Sequence, residues 1–221
     1  MSAVTFDLNG RGLELLSPIR ISILLRISGF EFRIFPLMIQ ISLSTLAVIL
    51  GLGLALPQIY GFMNPTGFAA GVRKFPRSLS WGFTLMILGT AWFLWNLSQE
   101  SISDFATWKN VLIAGFAAVG IGTCIFVQDF LAVRGLAVVF LLLAKLMVDT
   151  GRPFLDKTPW VLLFQAWAYL LVIGGIWFTV SPWRLRDLLE WGTANDKRIK
   201  VGCAVRLGFG LFIAALGLLK F

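Results

Sequence analysis

Four ionisable residues stand within or beside a stretch that is otherwise almost entirely apolar: Asp129, Arg134, Lys145 and Asp149. Lys145 and Asp149 are four positions apart, so on a helix they share a face and can pair. Charged groups in apolar surroundings are costly and often mark the path of an ion or a proton. The alternative is that each lies within a turn or two of the membrane interface and anchors the helix there. We favour this anchoring interpretation.

Apart from these four residues, the sequence contains few candidates for catalytic chemistry. The chain contains no histidine, which removes the commonest metal ligand and the usual base at neutral pH. The two cysteines, Cys124 and Cys203, are isolated, cannot hold an iron–sulfur cluster, and are interpreted as packed thiols rather than a redox pair. The glycine-rich signatures of nucleotide sites and the nucleophile motif Gly-x-Ser-x-Gly are absent. We therefore expect no catalytic residue, no bound metal, no cofactor and no enzymatic activity.

The composition indicates which kind of element must position these residues. Of 221 residues, 58% are hydrophobic and 14% are charged, whereas a soluble domain carries roughly 25% charged residues. This shortage of charge argues against a soluble enzyme, a disordered tail and a nucleic-acid-binding module. The net charge of +8 would suit a nucleic acid, but the basic residues lie between apolar stretches, as they do in the loops of membrane proteins. We expect an integral membrane protein that does not bind nucleic acid.

The gaps between charged residues divide the chain into spans. A helix needs about 20 mostly apolar residues to cross a hydrocarbon core of roughly 30 Å. Six stretches meet this requirement, at residues 37–56, 80–97, 110–128, 131–148, 160–180 and 201–220. A Ser-Pro start and a terminal glycine predict a short helix on the membrane surface over 181–192, followed by a polar basic turn over 193–200. The predicted fold is all-α: a polytopic integral membrane bundle of six transmembrane helices plus this short interfacial helix, with residues 37–221 as one transmembrane domain.

The N-terminal segment, residues 1–36, precedes the first span and lacks the order of a signal peptide. Leu13–Ile27 is apolar with two interspersed arginines, a pattern that suits an interfacial helix. Two alternatives remain open. The segment is a loosely ordered tail, or it is an extension upstream of a natural start at Met38.

Six crossings leave both ends of the bundle on one face of the membrane, here named side A; the opposite face is side B. From residue 37 onward, ten Lys and Arg residues belong to side B and five to side A, and this bias makes side B cytoplasmic. Residues 1–36 add four basic residues to side A and remove the bias. We expect a basic surface on side B that faces anionic lipid headgroups, made by Arg73, Lys74, Arg77, Arg184, Arg186, Lys197, Arg198 and Lys200.

Small residues recur at helical spacing in two of the spans. The third span carries Ala114, Ala118 and Gly122 at intervals of four. The sixth span carries a similar series, made by Ala204, Gly208, Gly210, Ala214 and Gly217. Small residues at this spacing let two helix backbones approach closely. The sequence leaves open whether these faces pack within the bundle or against another membrane protein.

A short pattern occurs twice. Gly89-Thr90-Ala91-Trp92-Phe93 in the second span is matched by Gly174-Gly175-Ile176-Trp177-Phe178 in the fifth span, 85 residues later. Because these two spans cross the membrane in opposite directions, the pattern would correspond to an inverted repeat of three plus three helices. Such repeats are common in secondary transporters.

The hairpin from about Leu162 to Leu219 has an apolar helix, a proline followed by arginine, a short polar linker and a glycine-containing helix. The residues that carry this pattern are Pro182, Trp183, Arg184, Arg206, Gly208 and Gly217. In these features the hairpin, about a quarter of the chain, resembles the small two-helix bacterial inner-membrane proteins of the YjeT type. The resemblance implies the architecture of a membrane hairpin and a bacterial inner-membrane location, and it implies no active site.

Two functional hypotheses follow. The first is a non-catalytic accessory or scaffold subunit that packs against membrane partners, because the chain combines short loops and small-residue faces with no catalytic set. The second is a small secondary transporter or channel built on the inverted repeat. A membrane enzyme ranks third. The expected partners are anionic membrane lipid and other membrane proteins or a second copy of this chain.

Overall fold

The computed structural model describes residues 42–100 and 108–221. These residues form α-helices and no strand. In chain order the helices are α1 (Leu43–Met63), α2 (Pro65–Lys74), α3 (Leu79–Gln99), α4 (Lys109–Phe126), α5 (Leu131–Gly151), α6 (Trp160–Val180), α7 (Trp183–Gly192) and α8 (Asp196–Leu219), with short 3₁₀ turns at Phe75–Arg77 and Arg152–Phe154.

Long apolar helices dominate the described residues, which confirms the predicted helical membrane bundle. Five of them, α1, α4, α5, α6 and α8, are long and apolar enough to cross a membrane, and α3 becomes a sixth when it is counted with α2, which it meets at a 64° bend. The predicted interfacial helix corresponds to α7. The sequence did not predict α2, a second short helix on side B.

The first span differs from its predicted range of 37–56. The predicted range stops just before Pro57, a residue that usually ends a helix, but α1 continues through Pro57 to Met63. Pro57 lies on the exposed side of the helix, and the residue four positions earlier is Gly53. Proline is tolerated inside membrane helices because neighbouring groups satisfy the carbonyl that it leaves free. Residues 37–41, like the predicted N-terminal tail or interfacial helix over 1–36, lie outside the described residues.

Two local corrections concern side B. The polar turn expected over 193–200 is helical from Asp196 onward, with the Asp196 carboxylate in the first turn, where the helix dipole favours negative charge. The short helix α2 begins with Pro65 at its first position, and the side chain of Asn64 accepts a hydrogen bond from the backbone N–H of Gly67 at 3.0 Å. These are ordinary helix-start signals, and they explain why the segment after α1 is not a simple loop.

The first and last long helices form one tightly packed antiparallel pair. A Cβ atom placed on Gly51 of α1 would lie 2.5 Å from the carbonyl oxygen of Gly210 on α8, and one on Gly217 would lie 2.9 Å from that of Ser44. Only glycine permits backbones to approach this closely. Further along, Cys203 of α8 faces Gly61 of α1, so the two helices remain in contact over their whole length.

The other long helices form a row in the order α4, α3, α5, α6. Helix α5 is central, because Gly89 of α3 packs on its Val138 and Gly175 of α6 packs on its Leu141. A core cluster then joins this row to the α1–α8 pair, with Leu43, Met147, Phe164 and Ile213 all 1% exposed or less. The bundle is therefore held together where α1, α5, α6 and α8 meet.

Candidate functional site

The packing of the helices assigns each end of the bundle to a side. Helices α1, α4 and α6 end at side B, where α2 and α7 also lie, and α3, α5 and α8 begin there. The four ionisable residues predicted as a cluster are divided between the two ends. Asp129 and Arg134 lie at side B, whereas Lys145 and Asp149 lie toward side A. Arg134 and Lys145 are eleven residues apart on α5, which is about 16 Å along a helix axis.

The charges toward side A form a cluster of ion pairs and hydrogen bonds. The Lys145 ammonium lies 2.9 Å from the Asp149 carboxylate and 3.7 Å from the Glu100 carboxylate at the end of α3. The side chain of Lys145 is 40% exposed. The Lys109 ammonium donates hydrogen bonds to the carbonyl oxygens of Ser98 (2.6 Å) and Glu100 (3.0 Å), which are carbonyls at the end of α3 that no helical N–H can reach. These contacts tie three helix ends together and leave no buried charge pair.

The predicted basic surface lies at side B, and two of its eight residues make side-chain hydrogen bonds to other described residues. Arg73 donates through Nε to the Thr193 hydroxyl at 2.8 Å and through its terminal nitrogen to the Thr193 carbonyl at 2.6 Å. Arg186 donates to the Asp187 carboxylate at 2.8 Å, and this hydrogen bond with the attraction of the same charge raises the pKa of Arg186. For the other six, no carboxylate lies within 4 Å in residues 42–100 and 108–221: Lys74, Arg77, Arg184, Lys197, Arg198 and Lys200.

A groove of about 550 Å³ opens in this basic surface between α2, α7 and α8. Its apolar lining is made by Phe68, Val72, Leu188, Leu189, Trp191, Ile199, Val201 and Cys203. Three cations stand around this lining, namely Lys197, Arg198 and Arg206. The Arg198 guanidinium lies 5.3 Å from the centre of the Trp191 ring, an attractive cation–π arrangement. The volume lies within the range of about 300–1,000 Å³ typical of small-molecule sites.

Contacts at the back of the groove fix the positions of α2, α7 and α8 relative to one another. A small cluster of buried residues, Ala69, Ile199 and Cys203, joins α2 to α8 at its back. The two hydrogen bonds from Arg73 to Thr193 join α2 to the end of α7. Thr193 is 8% exposed, and its hydroxyl also donates to the Leu189 carbonyl at 2.7 Å. The side chain that receives Arg73 is therefore held in one position at the end of α7.

The two predicted small-residue faces have different surroundings. On α8, Gly210, Ala214 and Gly217 are buried against α1, whereas Ala204 and Gly208 are exposed. On α4, Ala114 and Ala118 are exposed and Gly122 is half-buried.

Helix α4 packs on α3 through a different face from the predicted one. Gly120 lies against the side chain of Thr90, the Phe116 and Phe93 rings meet edge to face at 5.0 Å, and Cys124 is buried. The face that carries Ala114 and Ala118 is directed away from α3.

No metal site is formed by the residues that the structure describes, where no group of three or more acidic or cysteine side chains could hold an ion. Cys124 and Cys203 are both buried and belong to separate clusters, one between α3, α4 and α5 and one between α2 and α8. No protein family, characterised protein or solved structure matches this chain.

Two residues of these sites were not singled out from the sequence: Glu100, which completes the charge cluster around Lys145, and Gly202, which lines the groove. Arg206 was named only as part of the hairpin pattern, and the structure places it in the groove. A signal for the groove exists in α8, where Arg198, Gly202 and Arg206 recur every four residues and thus follow one stripe of the helix. No sequence pattern in or near α8 indicates that α2 and α7 pack beside that stripe.

Proposed function

We propose that this chain is a non-catalytic scaffold subunit of the bacterial inner membrane, with side B in the cytoplasm, which binds a transmembrane helix of another membrane protein on α4. The resemblance of the hairpin 162–219 to the YjeT-type proteins supports the location, and the excess of basic residues at side B, counted from residue 37 onward, supports the orientation. The observation that carries the docking role is the incomplete packing of α4.

Among the described residues, helix α4 packs mainly on one neighbour, α3, and reaches α5 only through the cluster around Cys124. Only 6% of its apolar stretch is buried, against between 33% and 44% for the other four apolar helices of spanning length. Its contacts are chiefly with α3, whereas α5 packs extensively on both α3 and α6. The core cluster of α1, α5, α6 and α8 contains no residue of α4. The helix is thus available to a second protein without disturbing the fold.

The outward face of α4 suits a helix better than lipid. Ala114, Gly115 and Ala118 are exposed there, and a Cβ atom on Gly115 would meet no other atom within 4 Å. Small side chains do not improve packing against lipid chains. Helix–helix interfaces in membranes, in contrast, are enriched in small residues because these let the two backbones approach closely. A partner helix would find on this face the kind of surface that α1 presents to α8.

The transporter alternative receives less support from the packing. In an inverted repeat of three plus three helices, α3 and α6 would be equivalent and would pack against different helices. Instead, Gly89 of α3 and Gly175 of α6 both pack against α5. The repeat would also pair α4 with α5 in the way that α1 pairs with α8, but α4 packs chiefly on α3.

The proposal is tested by crosslinking in native membranes. A photoreactive amino acid at position 118 should yield one discrete adduct that contains a second membrane protein, identified by mass spectrometry. The matched control is position 215, because Ala215 is an exposed alanine on α8 away from α4. The variant Ala118→Trp should lower recovery of the crosslinked partner by about tenfold, the effect of roughly 1.4 kcal/mol, whereas Ala215→Trp should leave recovery unchanged.

Three results would contradict the docking role of α4. Adducts could be equally abundant and diffuse from positions 118 and 215, as expected of a lipid-covered helix. They could contain only a second copy of this chain. Recovery of the partner could also fall equally in both tryptophan variants.

A further inference from the structure

We infer that the groove between α2, α7 and α8 binds one anionic phospholipid, with its phosphate among Lys197, Arg198 and Arg206 and an acyl chain along the apolar lining. The site is assigned from its own geometry and does not depend on the docking role of α4.

The position of Arg206 is the first argument. Helix α8 begins at Asp196, so Arg206 lies ten residues, or about 15 Å, along its axis. The opposite helix α1 ends at Met63, and its Gly61 faces Cys203. The apolar part of the α1–α8 pair therefore begins near Cys203, and Arg206 emerges within it. An arginine at this depth is costly unless its side chain reaches an anion near the surface.

The second argument is that residues 42–100 and 108–221 supply no such anion. Arg206 is exposed, and no carboxylate lies within 4 Å of Lys197, Arg198 or Arg206 in the part of the chain that the structure describes. Among the described residues at side B, the ion pairs are those of Arg186. Three unpaired cations around one groove are complementary to a phosphate, which accepts several charge-assisted hydrogen bonds at once.

The third argument is the shape and polarity of the groove between these cations. Gly202 lies midway between Arg198 and Arg206 on the same stripe of α8, and a Cβ atom there would meet nothing within 4 Å. The glycine thus forms an open floor. Trp191 and Val201 beside it are 65% and 64% exposed, which is costly against water and favourable against a hydrocarbon chain. Tryptophan is also typical of the headgroup level.

A lipid fits this groove better than a segment of the same chain. The residues before Ser42 join α1 at side A, and α1 has 21 residues, so their point of attachment is about 30 Å from side B. A phospholipid reaches the groove from the surrounding bilayer, and its charge and its chain match the two parts of the lining. A soluble phosphate would satisfy the cations and leave the apolar lining uncovered.

The test is titration of the purified, delipidated full-length protein with dioleoyl phosphatidylglycerol, followed by native mass spectrometry. We expect one tightly bound lipid, and dioleoyl phosphatidylcholine should bind at least about tenfold more weakly because its net charge is zero. Gly202→Leu should abolish the tight site by filling its floor. Arg206→Gln should weaken it by about tenfold, the usual effect of losing one charge-assisted contact.

Two matched controls isolate the groove. Gly208→Leu places the same side chain on the same helix in open space outside the groove, and Lys200→Gln removes a neighbouring cation that does not line it. Both should retain the wild-type affinity within about twofold, as expected for sites without direct contact. Glycerol 1-phosphate should fail to compete, which separates a lipid from a free phosphate.

Several outcomes would overturn the inference. Phosphatidylglycerol binding could be unchanged in Gly202→Leu and Arg206→Gln, or phosphatidylcholine could bind equally well. The free phosphate could compete with the lipid. The Gly202→Leu variant could instead change the oligomeric mass, which would place a second copy of the chain in the groove.

Discussion

Helices α8 and α4 carry the same kind of sequence pattern, small residues every three or four positions, and their surroundings in the bundle are opposite. On α8 the part of the pattern made by Gly210, Ala214 and Gly217 is buried, and Gly210 approaches the backbone of α1 closely. On α4 the patterned face is exposed, and a different face packs on α3. The comparison shows that small residues at helical spacing indicate a face where a helix can approach. The pattern does not identify which helix approaches.

The largest expected effect tests the buried side of this comparison. Gly51→Leu should destabilise the protein by about 3 kcal/mol, at the upper end of overpacking effects, because its side chain would meet the backbone of α8. In a protein of this size the thermal midpoint would fall by about 6–12 °C. The measurement is thermal unfolding in mild detergent. Gly53→Leu is the control, since it lies on the same helix in open space, and equal midpoints for the two variants would contradict the packing described.

A smaller and more local effect is expected at the α3–α4 contact. Gly120→Leu should push α4 away from the Thr90 side chain, at a cost of about 1–2 kcal/mol and thus a factor of about 5–30 in local opening. Labelling of the buried Cys124 thiol by N-ethylmaleimide should accelerate by that factor. Cys203, between α2 and α8, provides an internal reference that should remain protected.

The matched variant for this second prediction is Gly115→Leu on the outward face of α4. Its side chain meets no other atom of the described chain, so Cys124 should react at the wild-type rate. Acceleration in both variants, or parallel acceleration at Cys203, would mean that α4 is an integral part of the core rather than a peripheral helix.

The smallest effect is expected at the end of α3 near side A, where ion pairs connect α3 and α5. Lys145→Ala should cost less than about 1 kcal/mol, because exposed ion pairs contribute little and Lys145 is 40% exposed. Thermal unfolding and ion flux in proteoliposomes are the two measurements. A flux present in the wild type and lost in this variant would contradict an anchoring role and would favour the transporter hypothesis.

The sequence predicts the bundle well because the gaps between charges are a direct consequence of the hydrocarbon core. It predicts the ends of helices less well. The predicted first span stops just before Pro57, but a membrane helix tolerates proline on an exposed face. The start of α2 is encoded by Asn64 and Pro65, signals that a polar turn also uses.

The sites depend on contacts between distant segments, which a single sequence does not contain. Lys145 and Asp149 pair as their spacing predicts, since that pairing is local. Glu100 joins them from another helix, and the groove combines Phe68, Trp191 and Arg206 from three parts of the chain. Residue types identified the basic surface at side B, but only the fold assembles an apolar groove within it.

The pairing of α1 with α8 also has a consequence for biogenesis. The Ser44 hydroxyl donates to the Gly217 carbonyl at 2.6 Å across 173 residues of sequence. Among the long helices that the structure describes, α1 is synthesised first and α8 last, so the four others are made while the α1 surface that α8 covers is still unoccupied. During that interval the surface around Gly51 is exposed to lipid. The same surface can then bind a helix of another membrane protein. Insertion of α8 covers this surface and so removes an exposed helix-binding face that favours misassembly.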